Sequence, residues 1–291
     1  GTLDNGGTLN HQGNLNHQGT ITTADGADTE IGGTLYGDGD FLGTGTVLIT
    51  GNYQPGNSPA IIQFAGNLQL GPDAHLVLEV NGTEPGTGHD QLVVAGQLTV
   101  AGTLEVVLAD GYDPVINQSF DLLNFNSLLG QFSQIAFTGS DLAAGFDWDN
   151  SQLYTSGVIS VLDTMPPVIS VLPNVTLDED HSVHMNGPVL VDHVNDQYAS
   201  SADIEFRIVN FSDIASDFGL TIGMDSSSGD FASRTDTTLH VHPAANFNGS
   251  TTVTIEARDP SGNVSDPQPF TLTVTGTNDP PVATAATAAA T

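Results

Sequence analysis

The sequence predicts an all-β protein of two domains, the first of which is a coil of parallel strands. A six-residue period runs from Gly1 as GTLDNG, GTLNHQ, GNLNHQ and GTITTA, and it resumes at Gly33 after an interruption from Asp25 to Gly32. Each unit begins with Gly and has an apolar or aromatic residue in third place. Short strands separated by glycine corners produce this pattern, and amphipathic helix periodicity is nowhere comparable.

Longer strand segments follow the hexads, among them AIIQF, HLVLEV and TLEVVLADG, each bounded by Gly, Pro, Asn or Asp. The stretch from Gly51 to Tyr112 contains PGNSP at 55–59, Gly-x-Leu steps at Gly66, Gly96 and Gly102, and HDQL at 89–92. It resembles the end of the right-handed β-helix in autotransporter-type passengers and related secreted adhesins. We expect capping strands between Phe120 and Leu162, which would end this domain at residue 163, because an open solenoid end is an unpaired edge.

The second domain, residues 164–281, carries several distinctive motifs. It opens with PPVISVLPNVTLDED, continues through HPAANFNGSTTVTIEARDPSGNVSDPQPFTLTV and closes with TNDPPVA. These segments resemble a cadherin-like repeat of the kind found in tandem in bacterial surface proteins. The resemblance implies a cadherin/Ig-like antiparallel β-sandwich. Residues 282–291 are rich in Ala and Thr, and they are expected to form a linker or a donated strand.

The closing tetrapeptide Asn278-Asp279-Pro280-Pro281 suggests a cation site. Two oxygen-bearing side chains precede two prolines, which stiffen the exit and hold these groups at a domain edge. Ca²⁺ takes roughly six to eight oxygen ligands, so other groups must converge there. The resemblance implies a far-edge Ca²⁺ site made by Glu179, Asp180, Asn278 and Asp279.

The resemblance also implies a second Ca²⁺ site at the near edge of the same domain. Asp259 matches the Asp of an Ala-x-Asp strand end, whereas the expected Asp-x-Asp pair is replaced by Asp192 and Asp196, which are four apart. Asp163, just before Pro166, is a candidate linker ligand. The alternative is that these acidic turn residues are only solvated, since Asp and Asn favour turns for backbone reasons.

The charge balance restricts the partners of this chain. Its net charge is −31, with 34 Asp and Glu against three Arg and no Lys. Nucleic acid and anionic membrane are therefore excluded as partners. Cysteine is absent, and no hydrophobic run reaches transmembrane length. Because Gly1 opens within a repeat, we expect a segment of something longer. The family resemblances imply an extracellular location, on a bacterial cell surface or secreted.

Enzymatic activity is not expected, although parallel β-helices also carry polysaccharide lyases and hydrolases. Residues 1–163 contain no Lys or Arg, which removes the cationic groups that a polyuronate lyase needs. The pairs Asp38 with Asp40 and Asp147 with Asp149 are candidates for glycosidase carboxylates, but both lie in turn-like sequence. A β-helix that binds or degrades polysaccharide remains the alternative function.

The sequence therefore predicts an extracellular structural or adhesive protein without catalytic residues. It would be a segment or subunit of a bacterial surface filament or of a large adhesin, with domain junctions stiffened by Ca²⁺. The expected partners are further copies of the chain bound head to tail, or adjoining repeats of the same chain. A glycan or another cell-surface ligand is a further expected partner.

Overall fold

The computed structural model describes residues 1–56, 59–109, 111–179, 185–224, 227–233 and 235–278. The chain divides into two compact units, the first ending at Asp163 and the second beginning at Thr164. Nearly all of the regular structure is β-strand, and the described helices are short 3-10 turns. The all-β prediction is confirmed.

The first unit is a β-helix-like coil, which confirms the predicted solenoid of parallel strands. Its strands are β1 (Thr2–Asn5), β2 (Thr8–His11), β3 (Leu15–Asn16), β4 (Thr20–Thr23), β5 (Asp28–Ile31), β6 (Leu35–Gly37), β7 (Asp40–Leu42), β8 (Thr46–Ile49), β9 (Asn52–Pro55), β10 (Ile61–Phe64), β11 (Asn67–Leu70), β12 (His75–Val80), β13 (Gln91–Val100), β14 (Thr103–Leu108), β15 (Ser119–Asp121), β16 (Leu123–Gly130), β17 (Gln134–Gly139), β18 (Phe146–Asp149) and β19 (Val158–Asp163). From β1 to β9, each strand pairs in parallel with the strand three places on, so three strands make one turn. The long β13 pairs with both β10 and β11, and β14 and β17 extend the ladder of β12.

The six-residue period corresponds to one strand with its corner, and three periods complete a turn. Leu3 pairs with Ile21, eighteen positions further along the chain. The interruption from Asp25 to Gly32 does not break the coil, since it contains β5, whose buried Thr29 pairs with Leu9. The extra residues are accommodated at one corner. The inward Thr29 hydroxyl lies 2.8 Å from that of Thr23, which satisfies both groups.

Aromatic rings stack along the core of the coil. The rings of Phe41 and Phe64 are parallel, with centroids 4.5 Å apart, and Tyr53 meets Phe64 edge-on. Close approach of successive turns also requires glycine at corners. At Gly43, where φ is +86°, an added Cβ would lie 2.0 Å from the carbonyl oxygen of Thr23 in the preceding turn.

A small antiparallel sheet covers the last turn of the coil. It has the strand order β15-β19-β18, and its Trp148 ring stacks on Phe137 of β17 with centroids 5.1 Å apart and an interplanar angle of 8°. The edge of Trp148 also meets the buried ring of Phe120. These strands lie in the segment where capping strands are expected.

The second unit contains two larger sheets that share one hydrophobic core. Its strands are β20 (Val168–Ile169), β21 (Val175–Asp178), β22 (Met185–Val189), β23 (Val194–Asn195), β24 (Glu205–Ile208), β25 (Leu220–Ile222), β26 (Thr238–Val241), β27 (Gly249–Arg258) and β28 (Gln268–Thr275). The short helices are Leu190–His193, Ser201–Asp203, Phe211–Asp213 and Ser216–Phe218. The sheet orders are β21-β28-β27-β24 and β22-β26-β25, with β20 paired to β23. Phe206 and Val253 from the first sheet and Ile222 and Leu239 from the second are buried together.

One strand pair departs from the antiparallel expectation. β21 runs parallel to β28, with Asp178 opposite Thr275, so both strands end at the same edge of the sheet. β27 runs antiparallel to β28 and ends at the opposite edge. Because β27 has ten residues at about 3.3 Å each, the two edges are roughly 30 Å apart.

The aromatic stack gives a direct test of the coil. Phe64→Ala is expected to lower the free energy of unfolding of the first unit by about 3–5 kcal/mol, because it leaves a cavity beside Phe41 and Tyr53. Trp148 is the only tryptophan and lies in this unit, so its fluorescence during denaturant titration reports on the unit. The control Leu42→Ala, at a side chain that is 44% exposed, should change stability by less than about 0.5 kcal/mol. Equal losses in the two variants would contradict the inward stacking.

Candidate metal centres at the two edges of the second unit

The described arginines are already paired within the second unit. Arg207 donates to Glu256 through Nε at 3.0 Å and Nη2 at 2.7 Å, and Arg258 pairs with Glu205 in the same way. Both guanidinium groups also lie over the ring of Phe231, 4.5 and 4.6 Å from its centroid. These two cations therefore stabilise the sheet and the Phe231 loop, and carboxylates elsewhere in the described unit need other partners.

Asp259 lies directly after β27 and is 3% exposed. Its Oδ1 accepts a hydrogen bond from the backbone N–H of Asn263, and its Oδ2 accepts one from the Asn263 side-chain amide, both at 2.8 Å. The Ala-x-Asp motif thus ends a strand in a tight loop that fixes the carboxylate. A carboxylate has about four lone-pair sites, so each oxygen retains capacity for a cation.

Asp196 lies directly after β23 and faces Asp259. Its Oδ1 accepts the backbone N–H groups of Tyr198 at 2.8 Å and Ala199 at 2.7 Å, whereas its Oδ2 is buried and has no hydrogen-bond partner in the described chain. Ligand oxygens of Asp196 and Asp259 lie within 4.8 Å of each other. Two like charges at this separation, partly removed from water, repel each other unless a cation lies between them.

The other two predicted near-edge residues lie on other elements of the chain. Asp192 is exposed in the 3-10 turn Leu190–His193 and does not belong to the group that contains Asp196 and Asp259. Asp163 is the last residue of β19 in the first unit, where it is paired in register with Phe146. Its role as a linker ligand stays a prediction.

Glu179 occupies the far edge, directly after β21. Its side chain is buried, with 6% of the residue exposed, and its Oε1 accepts the backbone N–H of Thr277 at 2.7 Å. Its Oε2 is buried without a hydrogen-bond partner among the described residues. Asn278 is exposed just beyond Thr277, on the segment that leaves β28. The parallel pairing of β21 with β28 is what places these residues at one edge. Asp180 and Asp279 lie outside the described residues.

Both edges offer oxygen ligands and lack sulfur ligands. Carboxylate, amide and backbone oxygens are the ligands preferred by Ca²⁺, whereas zinc sites are built from His and Cys as well as carboxylates. At each edge one carboxylate, Asp196 or Glu179, has one oxygen held by backbone N–H groups, which orients its second oxygen; that oxygen has no partner within the described ranges. This arrangement can bind a hard cation with little reorganisation of the carboxylate.

The sequence reasoning missed a third fixed carboxylate, Asp90, in the first unit. Asp90 is 1% exposed, and its two carboxylate oxygens accept hydrogen bonds from the backbone N–H groups of Ala60 at 2.7 Å and Glu79 at 2.8 Å. Burial raises the pKa of Asp90 to about 6, against the lowering effect of those two hydrogen bonds. Asp90 therefore links the segment before β13 to β12 and to Ala60, the residue that precedes β10. The available signal was the HDQL motif that precedes the longest strand of the coil.

The carboxylate pairs considered for glycosidase chemistry lie on the surface. Asp38 is exposed just before β7, and Asp40, the first residue of β7, is exposed as well. Asp147 accepts the backbone N–H of Trp148, and Asp149 accepts that of Ser151, each at 2.8 Å. Asp40 lies in β7, and Asp147 and Asp149 lie in β18, whereas the sequence indicates turns there; only the bond from Ser151 forms a turn, at the end of β18.

No protein-family model matches this chain, and no curated protein matches it in sequence. Within the described residues, no helix is long and apolar enough to cross a bilayer.

The variant Asp196→Asn separates a cation ligand from a purely structural carboxylate. The substitution keeps the Oδ1 that accepts the N–H groups of Tyr198 and Ala199, but it removes the charge next to Asp259. In EDTA the variant should be at least as stable as the wild type, because the repulsion is relieved. In calcium it should be less stable than the wild type, because a charged ligand is lost. Calorimetric unfolding under both conditions measures this difference.

A sign reversal between EDTA and calcium is thus the expected result. The control Asp213→Asn, at an exposed residue of the same unit, should stay within about 0.5 kcal/mol of the wild type under both conditions. If Asp196→Asn destabilised the protein equally with and without calcium, the carboxylate would be structural and the near edge would not be a cation site.

Proposed function

We propose that this chain is a segment or subunit of an extracellular structural or adhesive protein, whose domain edges bind Ca²⁺. The observation that carries the proposal is that two carboxylate oxygens of the second unit, Glu179 Oε2 and Asp196 Oδ2, are buried without a hydrogen-bond partner among the described residues, in a chain of net charge −31. Leaving a buried charged oxygen without a partner is costly, so a bound cation accounts for both. The two described arginines are committed to other carboxylates.

The resemblance to a bacterial cadherin-like repeat supports calcium as the cation. It rests on the acidic residues that open the second domain, on Asp259 after Ala257, and on the Asn278-Asp279-Pro280-Pro281 exit. Two sheets around one core are compatible with such a repeat. On this proposal, Asp180, Asp279, Asn278 and Asp163 supply further ligands, and Asp192 is a peripheral residue that attracts the cation from solution.

The proposed mechanism is mechanical. The coil of the first unit supplies length and lateral surface, because each added turn contacts only its neighbours. Calcium at the edges of the second unit neutralises carboxylates that otherwise repel, and it fixes the residues at which the chain enters and leaves that unit. An extracellular location, on a bacterial surface or secreted, agrees with this function, since free Ca²⁺ is abundant there.

The proposed partners are further copies of the chain, or adjoining repeats of the same chain, bound head to tail. The far edge supports this idea because Glu179 provides only one open oxygen, and additional ligands have to come from the residues that follow β28 or from a neighbouring domain. The strong negative charge argues against nucleic acid and anionic membrane as partners.

Calcium titration of thermal stability tests the two edges separately. The wild type is expected to gain about 2.7 kcal/mol per independent site at a calcium concentration a hundredfold above Kd. Glu179→Gln should remove the part of this gain that comes from the far edge, and Asp259→Asn should remove the part that comes from the near edge. The double variant should lose nearly all of the gain. Each variant is compared with itself in EDTA, which subtracts any loss of hydrogen bonds in the metal-free state.

The control for this titration is again Asp213→Asn, which should gain as much stability as the wild type. A calcium response of wild-type size in the Glu179→Gln/Asp259→Asn double variant would place the ion elsewhere and would refute the proposed sites. An elemental analysis of the purified protein identifies the bound metal independently.

Self-association is tested by sedimentation velocity in calcium and in EDTA, with the full chain and with residues 1–281. We expect the full chain to form larger species at high concentration in calcium, and the shortened chain to associate less if residues 282–291 are donated to a neighbour. A full chain that stayed monomeric in calcium, with its tail freely cleaved by protease, would refute assembly. Electron microscopy then distinguishes a fibre-forming subunit from a single rod-shaped adhesin.

A further inference from the structure

A surface groove of about 310 Å³ lies between the end of β17 and the capping strand β18. We call it the Trp148 groove; its walls include Phe137, Phe146 and Trp148, and its rim includes Asp141 and Asp147. The volume lies at the lower end of the range typical of small-ligand sites. All of these residues belong to the first unit, so the groove is independent of the calcium edges.

The apolar part of the groove is held rigidly. Trp148 is paired with Val161 of β19 and stacks on Phe137, which itself is paired with Val106 of β14. Phe146 and Trp148 are two positions apart on β18 and project to the same side of the strand. The rings therefore form a fixed apolar surface. Because they are ordered before a ligand binds, binding carries no entropic cost for ordering them.

The groove also offers both kinds of hydrogen-bonding group. The Trp148 ring is partly exposed, and its indole N–H makes no hydrogen bond within the described part of the chain. Asp147 uses Oδ1 to accept the Trp148 backbone N–H at 2.8 Å, which leaves Oδ2 available as an acceptor, and the carboxylate of Asp141 is exposed. A ligand that fits must combine apolar C–H surface with hydroxyl groups that donate to carboxylates and accept from the indole.

Charge narrows the class of ligand further. Residues 1–163 contain no Lys or Arg, and the groove carries two carboxylates. Uronates, sialic acids and sulfated or phosphorylated ligands would therefore be repelled. A sugar ring without charge meets the requirement, because its C–H face packs on an aromatic ring while its hydroxyl groups reach the rim.

We propose that the Trp148 groove binds an uncharged glycan, with the Trp148 ring as the contact platform and Asp141 and Asp147 as hydroxyl acceptors. The groove then gives the first unit a recognition site at its capped end, in addition to its role as a spacer. Glycan binding in this groove does not require calcium. Binding is therefore measured in EDTA, so that the result does not depend on whether the metal sites exist.

The experiment uses the fluorescence of the single tryptophan, which lies in the site itself. The full chain is titrated with neutral hexasaccharides of β-1,4-glucose, β-1,3-glucose, β-1,4-xylose and β-1,4-mannose, and with hexagalacturonate as the anionic counterpart. We expect a saturable change in emission with at least one neutral hexasaccharide and none with hexagalacturonate. The double variant Asp141→Asn/Asp147→Asn should bind that sugar about tenfold more weakly or worse, since two charged acceptors are lost.

Controls keep the result interpretable. The Asp147→Asn substitution retains the Oδ1 that orients Trp148, so the emission of the ligand-free double variant should equal that of the wild type. If the double variant is unstable, Asp141→Asn alone, at an exposed loop residue, replaces it in the binding measurement. Asp73→Asn, at an exposed turn elsewhere in the coil, should bind like the wild type. The proposal is overturned by the absence of any emission change at millimolar neutral sugar, by binding unaffected in the double variant, or by equal binding of hexagalacturonate.

Discussion

Several carboxylates of this protein are held by backbone N–H groups, in a chain where basic side chains are almost absent. Asp90, Asp196 and Glu179 are each fixed in this way, at distances of 2.7–2.8 Å. The difference among them lies in how many oxygens are satisfied. Asp90 uses both of its oxygens, whereas Asp196 and Glu179 each leave one buried oxygen without a partner among the described residues. A carboxylate with both oxygens hydrogen-bonded is a structural link. An open carboxylate, which keeps one buried oxygen without a partner, is a candidate metal ligand.

Strand pairing determines where the open carboxylates lie. The parallel pair β21 and β28 brings the beginning and the end of the second unit to one edge, beside Glu179. The near edge joins the residues that follow β23 and β27, which are far apart in sequence. A cation at the near edge therefore connects segments that the strand hydrogen bonds join only indirectly, and one at the far edge reinforces the ends of two directly paired strands. Ion binding there would oppose the separation of those segments, which is what a domain under tension in a filament or adhesin requires.

Sequence periodicity was enough to predict the coil, but the number of strands per turn was not readable from it. A period of six describes one strand with its corner, and the same period is compatible with different numbers of strands in a turn. The pairing of Leu3 with Ile21 decides for three. The segment from Asp25 to Gly32 looked like a break in the repeat, although Thr29 continues the row of side chains that point into the coil. The side chain facing the core there is polar, which hid the row from a search for apolar residues.

The candidate metal residues were predictable to different degrees. Asp259 was readable because the end of a strand and a tight loop are both encoded locally. The sequence offered Asp192 and Asp196 as equals, and only the 3-10 turn that contains Asp192 separates them by placing that residue on the surface. The open oxygen of Glu179 depends on its hydrogen bond to Thr277, 98 positions further along the chain. Such a contact follows from tertiary pairing and has no signature in local sequence.

Monovalent salt and calcium act on different parts of this charge distribution. At an ionic strength of 0.15 M, the Debye length is about 8 Å, so repulsion between the many exposed carboxylates of the chain is largely screened. The Asp196 and Asp259 oxygens lie within 4.8 Å of each other, and Asp259 is almost fully buried. Mobile ions cannot enter that space as a diffuse atmosphere. High salt should therefore relieve the general self-repulsion of the protein without replacing an ion bound between these two side chains, and this distinction separates a site from a merely acidic surface.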